Sequence, residues 1–159
     1  MPVRLYRYSM QELLELLLAN LDAAYLRKGW HGPTLRNAIR GLRAADVAWR
    51  PAKGRHNIWE LTAHAAYWKY AARRRLSGGK RGFPMKGSNW IAAPARIDEA
   101  SWQQVVGLLE DEHRQLRELV SSLSDADLRD RKKLRVIYGV AAHDVYHAGQ
   151  IQLVKKLRG

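Results

Sequence analysis

Cysteine is absent from this chain of 159 residues. The absence excludes a disulfide framework, a zinc site built from thiolates and a cysteine nucleophile. Thiol chemistry, if the protein performs any, therefore requires a thiol that a small molecule supplies.

Long hydrophobic runs are also missing. Glu, Asp, Arg or Lys interrupts every apolar stretch, so no segment predicts a transmembrane span. The N-terminal sequence MPVRLYRYSM lacks the apolar region of a secretory signal peptide. We therefore expect a cytoplasmic protein that does not associate with membranes.

Acidic residues are scarce, with 15 Asp and Glu against 28 Lys and Arg, and the net charge is +13. Such an excess favours a polyanionic partner, such as nucleic acid, or an acidic substrate. A solvated basic surface explains the same charge, because the clusters at residues 73–75 and 155–158 fall near predicted helix C-termini, where cations are favourable. The sequence shows no helix-turn-helix spacing and no platform of aromatic and basic residues that would favour nucleic-acid recognition.

Hydrophobic residues make up 47% of the chain, and they repeat with helical spacing. Capping signals at Ser9 and Asn57, each followed three residues later by Glu, predict two helix starts. The long helices are predicted at about residues 9–29, 57–77, 98–123 and 137–157, with short helical segments at 35–42 and 124–128. No segment has strand periodicity. The sequence therefore predicts one all-α domain over residues 1–159, a four-helix bundle with long crossover connections.

Two of the six histidines, His143 and His147, lie four residues apart on the last predicted helix. At this spacing both side chains lie on one helical face, about 6 Å apart, and can reach a single metal ion. The pair alone is a weak signal, because it arises easily by chance. Small neighbours such as Ala142 and Gly149 leave space beside the rings.

His64 lies on the inward side of the second long helix. A single histidine there is more often a core residue, but three inward imidazoles without partners would be costly to bury. A divalent cation would satisfy all three, and three histidines with an open position are typical of catalytic sites. The ligand set suits Zn, Ni, Fe or Cu.

Several neighbours have a functional and a structural interpretation each. Trp68, Trp90, Tyr146 and Gln150 are candidates for the substrate-binding wall, with ordinary packing or a polar bundle end as the alternative. Asp144 either orients a histidine ligand or faces water. The remaining histidines are interpreted as a rival ligand or core residue (His113), an exposed or capping residue (His56) and a loop residue (His31).

Other catalytic signatures are missing. The sequence contains no phosphate-binding P-loop, no dinucleotide-binding glycine pattern and no nucleophile elbow. The helix pair also lacks the Glu of a zinc-protease H-E-x-x-H motif, since Asp144 follows His143.

The segments HNIWELTAHAAYW (56–68), HDVYHAGQIQL (143–153) and AADVAWRP (44–51) resemble the DinB/YfiT-like family of metal-dependent proteins. The resemblance covers nearly the whole chain. It implies a four-helix bundle of unusual connectivity, a divalent metal on His64, His143 and His147, and a homodimer. It also implies, from characterised relatives, a transferase or isomerase that uses a low-molecular-weight thiol such as bacillithiol or mycothiol, or an enzyme of ergothioneine biosynthesis.

Three hypotheses about function follow. The first is a metal-dependent enzyme, such as a thiol-dependent S-transferase acting on a small molecule. The second is a basic module that associates with nucleic acid. The third is a non-catalytic, stress-related dimer.

Overall fold

The computed structural model describes residues 9–27 and 29–159, and these residues form seven α-helices and no strand. Four helices are long and three have five residues each. In chain order they are α1 (Met10–Tyr25), α2 (Leu35–Ile39), α3 (Ala44–Ala48), α4 (Ile58–Ser77), α5 (Glu99–Ser121), α6 (Asp125–Arg129) and α7 (Arg131–Arg158). The predicted all-α fold class is confirmed. Residues 1–8, on which the argument against a signal peptide largely depends, lie outside the described residues.

Local capping interactions explain where most helices begin. Ser9, Asn57, Asp98 and Ser124 each accept a hydrogen bond from the backbone N–H three residues later. These bonds satisfy N–H groups that have no partner inside the helix. At the other end of α4, Gly78 adopts a left-handed conformation with a φ of 71°, which glycine tolerates best and which ends the helix.

Two predicted helix ends are wrong, and one short helix is missing from the prediction. α1 ends at Tyr25 rather than near Gly29, because the N–H groups of both Leu26 and Arg27 bond to the carbonyl oxygen of Asp22. α2 ends at Ile39, three residues before the predicted end, and the sequence did not predict α3.

The last helix, α7, begins six residues earlier than predicted. Asp130 caps it by accepting a hydrogen bond from the backbone N–H of Lys132. The first turns of α7 are rich in Lys and Arg and lack the apolar repeat on which the prediction depended.

The four long helices pack around a common interior. α4 contacts α5 and α7, and α1 contacts the same two helices. The order around the bundle is therefore α1, α5, α4, α7, so α1 and the next long helix of the chain, α4, occupy opposite corners. The connection between them crosses the bundle and carries α2 and α3. No described helix is long and apolar enough to span a bilayer.

A layer of polar side chains separates two apolar clusters inside the bundle. Along α4 the first cluster reaches Ala66 and the second begins at Ala72. Along α7 the second cluster reaches Ala141 and the first resumes at Ala148. The buried polar groups between these boundaries include Lys69, His113, Asp144 and His147. The candidate site lies at this level of the bundle.

Candidate metal centre

The structure brings the three predicted ligands together. α4 carries His64, and α7 carries His143 and His147 on one face. The Nε2 atom of His143 lies 3.2 Å from Nε2 of His64 and 3.0 Å from Nε2 of His147. One nitrogen from each residue lies within 4.8 Å of those of the other two. The predicted convergence of these side chains is therefore correct.

Asn89 orients the ring of His64. The Nδ1–H of His64 donates to the backbone carbonyl oxygen of Asn89 at 2.8 Å, because a carbonyl oxygen can only accept. Asn89 has a φ of 60°, in the left-handed region that Asn tolerates better than most residues. Its side-chain oxygen also accepts a 2.9 Å hydrogen bond from the Nε1–H of Trp68. One loop residue thus fixes a histidine and a tryptophan of the same helix.

Gln150 orients the ring of His147. Its amide oxygen lies 2.7 Å from Nδ1 of His147 and accepts a hydrogen bond from it, while its amide nitrogen donates to the hydroxyl of Tyr146 at 3.0 Å. Residues three apart on a helix are neighbours, which explains why Gln150 reaches His147. His64 and His147, the two outer histidines, therefore carry their proton on Nδ1 and direct a lone pair from Nε2 toward His143.

Without a cation, hydrogen bonds cannot satisfy all the nitrogen atoms of the histidine cluster. Nε2 of His143 carries at most one proton when the ring is neutral, so it can donate to His64 or to His147 but not to both. Its Nδ1 atom is buried and has no hydrogen-bond partner among the described residues. Three converging nitrogen donors of this kind fit a divalent metal, whose positive charge accepts all three lone pairs.

All three imidazoles are held in the neutral form that a metal requires. Burial lowers the pKa of His64 below its ordinary value. Burial, with the neighbouring histidines as the next cause, lowers the pKa of His143 to about 3. Burial likewise lowers the pKa of His147 to about 4, and the bond to Gln150 opposes the change. The nitrogens therefore carry free lone pairs at neutral pH.

A cavity of about 670 Å³ opens onto the three histidines. The four residues predicted as a substrate-binding wall, Trp68, Trp90, Tyr146 and Gln150, all line it. The volume lies within the range of about 300–1,000 Å³ that is typical of small-molecule sites. The site therefore combines converging donors with room for a ligand.

The ring of Trp90 is sandwiched between two histidine rings. It stacks on His64 with centroids 3.8 Å apart and on His56 with centroids 3.6 Å apart. The Nδ1 atom of His56 lies 3.1 Å from a carboxylate oxygen of Glu60. The isolated tryptophan of the α4–α5 connection is thus part of the site wall and covers one face of His64.

The sequence model of one protein family matches residues 30–151, and that family is the DinB superfamily. The match includes all three converging histidines and covers most of the chain. The chain belongs to the DinB superfamily. Neither the curated proteins nor the solved structures compared with the chain gave a significant match.

In this DinB-superfamily chain, Asp144 does not face water. It is completely buried, and its carboxylate forms an ion pair with the ammonium group of Lys69, which is also completely buried. The sequence predicts that Asp144 faces water or orients a histidine ligand, and it gives no indication of a role for Lys69. The contact joins residues 75 positions apart on α4 and α7, so no local pattern indicates it.

His113, the rival ligand, lies away from the three converging histidines of this DinB-superfamily chain. Its ring stacks on Tyr25 with centroids 4.0 Å apart, and its Nδ1 accepts a 3.2 Å hydrogen bond from Lys69. Burial lowers the pKa of His113 to about 2, with the charge of Lys69 as the next cause. His113 is therefore a neutral core residue, which was the structural interpretation.

Replacing Gln150 tests whether its hydrogen bond to His147 supports metal binding at the candidate centre. Gln150→Ala removes the acceptor of His147 Nδ1–H, and we expect metal affinity to fall about tenfold, since such outer partners typically contribute ten- to hundredfold. Gln150→Glu provides the matched control, because its carboxylate still accepts the bond. Competition with a chromophoric chelator measures both. Equal affinity of the alanine variant and the wild type would contradict a supporting role.

Proposed function

We propose that this protein is a metal-dependent enzyme that acts on a small molecule. The observation that supports the proposal is the convergence of three neutral imidazole nitrogens at the wall of a cavity of about 670 Å³. Closed structural metal sites have four protein ligands, whereas three histidines leave a position for substrate or water. The donor set and the adjoining cavity together favour a catalytic rather than a structural site.

His64, His143 and His147 would hold the ion, and their ligand chemistry suits Zn, Ni or Fe, as well as Cu. Such an ion, when bound, lowers the pKa of a thiol or a water molecule so that it reacts as an anion near neutral pH. Asn89 and Gln150 keep the outer histidines in the tautomer that presents Nε2. Trp68 and Trp90 provide the apolar walls that orient a substrate and limit the access of water.

Within this proposal, S-transfer from a low-molecular-weight thiol is the reaction class that the family resemblance favours. The thiol loses its proton to solvent, its sulfur forms a bond to an electrophilic carbon, and the leaving group departs with the electron pair. Because the chain contains no cysteine, the sulfur must come from the cosubstrate.

Metal analysis of the purified protein tests the proposal. We expect close to one equivalent of a divalent metal per chain, and a rise in the melting temperature of about 5–10 °C for metal-loaded over chelated protein when free metal is a hundredfold above the dissociation constant. A screen of thiols against a chromogenic aryl chloride then measures S-transfer. Absence of metal binding together with an unchanged melting temperature would contradict the proposal.

The response of the melting temperature to chelator and a separate DNA-binding titration distinguish the alternatives. A non-catalytic dimer predicts a melting temperature that does not respond to chelator. A nucleic-acid module predicts DNA affinity that falls steeply with salt. The homodimer and the cytoplasmic location remain predictions, and the exposed apolar side chains of Leu153 and Leu157 on α7 favour the former.

A further inference from the structure

The end of the cavity opposite the histidines is lined by cations. Arg75 lies at the end of α4, and Lys132 and Arg135 lie in the first two turns of α7. In the part of the chain that the structure describes, no Asp or Glu lines the cavity. Among the described residues, these cations therefore have no neutralising partner inside the cavity.

The three cations are also free of ion pairs with the described part of the chain. Within residues 9–27 and 29–159, every ion pair joins an Asp or Glu to a Lys, Arg or His other than these three cations. Lys133, the neighbour of Lys132, pairs with Asp127 and illustrates the contrast. The positive charge at this end of the cavity is thus available to a ligand.

The position of Arg75 is linked to the metal centre. Its guanidinium carbon lies over the ring of Trp68, 5.2 Å from the ring centroid. At this distance a cation is attracted to the face of an aromatic ring. Trp68 in turn donates to Asn89, whose carbonyl accepts from His64. One chain of contacts therefore holds the cation and the histidine in fixed relation along the same cavity wall.

The placement of cations at the start of α7 is unfavourable for the helix itself. The positive end of the helix dipole lies there, and the first turn contains no acidic residue apart from the capping Asp130 before it. Residues that oppose the local preference of a helix are commonly retained for function. An anionic ligand would remove the repulsion.

We propose that the substrate of this site is an elongated molecule with an oxyanion, a carboxylate or a phosphate ester, at the end distant from the histidines. Arg75, Lys132 and Arg135 bind this oxyanion. Arg135 and His143 are eight residues apart on α7, which corresponds to about 12 Å along the helix. The oxyanion and the reacting atom are accordingly separated by roughly 10–15 Å. The inference rests on the proposed function only for the end of the substrate that reacts at the histidines.

A metal-free binding assay tests the cationic end by itself. In chelator, we expect 8-anilinonaphthalene-1-sulfonate to bind the wild type about tenfold more tightly than Arg135→Gln or Arg75→Gln, since charge-assisted hydrogen bonds are lost. Arg131→Gln is the matched control, because Arg131 lies one turn from Arg135, carries the same charge and does not line the cavity. We expect the control to differ from the wild type by less than about twofold. Equal losses in the control and the cavity variants would overturn the proposal.

Competition identifies the oxyanion. Octanoate and octyl phosphate should displace the probe, whereas octanol at the same concentration should not. Preference for one of the two acids assigns the oxyanion as a carboxylate or a phosphate ester. Displacement by octanol as effective as that by the acids would overturn the proposal, because it would show recognition of the apolar chain alone.

Cobalt-loaded protein tests the separation between the two ends. Thiolate absorption on cobalt reports binding of 8-mercaptooctanoate, of mercaptoacetate and of the uncharged 8-mercaptooctanol. We expect 8-mercaptooctanoate to bind about tenfold more tightly than both others, and Arg135→Gln to abolish the advantage. Equal binding of the three thiols would overturn the inference and leave the metal site intact. Failure of cobalt to bind would instead contradict the proposed function, while the metal-free assay still decides the inference.

Discussion

Lys69→Met should destabilise the protein by about 3–5 kcal/mol, because it leaves the carboxylate of Asp144 buried without its partner. The side chains of Lys69 and Asp144 are 0% and 1% exposed. Burial lowers the pKa of Lys69 and raises the pKa of Asp144, and the charge of each partner opposes these shifts. Methionine keeps the length of the side chain and removes the charge. Urea denaturation at pH 7 in the presence of chelator, followed by circular dichroism, measures the change.

Lys133→Met provides a matched control. Lys133 also forms an ion pair with an aspartate, Asp127, but the two side chains are 29% and 28% exposed. Pairs of this kind contribute less than about 1 kcal/mol, so we expect a small effect. The double variant Lys69→Met/Asp144→Leu replaces the buried pair with apolar groups, and it should recover most of the lost stability. Equal small effects of Lys69→Met and Lys133→Met would show that the pair contributes little.

His143→Ala should weaken metal binding by more than about a hundredfold, which exceeds the typical contribution of an outer hydrogen-bond partner. His143 is the residue whose Nε2 contacts both other histidines. Its removal leaves two donors from different helices and an enlarged site. Chelator competition and elemental analysis of the purified variant measure the affinity and the metal content.

His31→Ala is the control for the loss of one histidine, because His31 is exposed in a turn and lies outside the converging set. It should bind metal as the wild type does. Circular dichroism should show that His143→Ala retains its helical content, since only a partly exposed side chain is shortened. Wild-type affinity in His143→Ala would remove this residue from the ligand set.

The sequence predicts the parts of the fold that local interactions determine. Ser9, Asn57, Asp98 and Ser124 are caps whose partners lie three residues away, so their side chains and the apolar repeat suffice. The early start of α7 was missed because a capping Asp130 was followed by basic rather than apolar residues. Helix α3 was missed because Arg43 occupies its N-cap position, so it lacks the Ser, Thr, Asp or Asn signal that Ser124 provides before α6.

The candidate site likewise has features that the local sequence predicts and features that depend on tertiary contacts. His143 and His147 are neighbours on one helix, so their common face is predictable, and His64 joins them through the inward face of α4. The partner of His64 is a backbone carbonyl 25 residues away, which no residue type indicates. The burial of Lys69 depends on Asp144, 75 residues away, and composition alone assigns both to the surface. Tertiary contacts over such separations have no local signature.

The site also connects distant parts of the chain. His64 and His143 are 79 residues apart, and one ion shared between them would close a loop that includes the whole of α5. Closing a long loop restricts the unfolded chain more than closing a short one. In a protein that cannot form disulfides, the histidines would thus serve as a reversible cross-link between α4 and α7, so that metal supply would govern how long the folded chain persists as well as whether it can react.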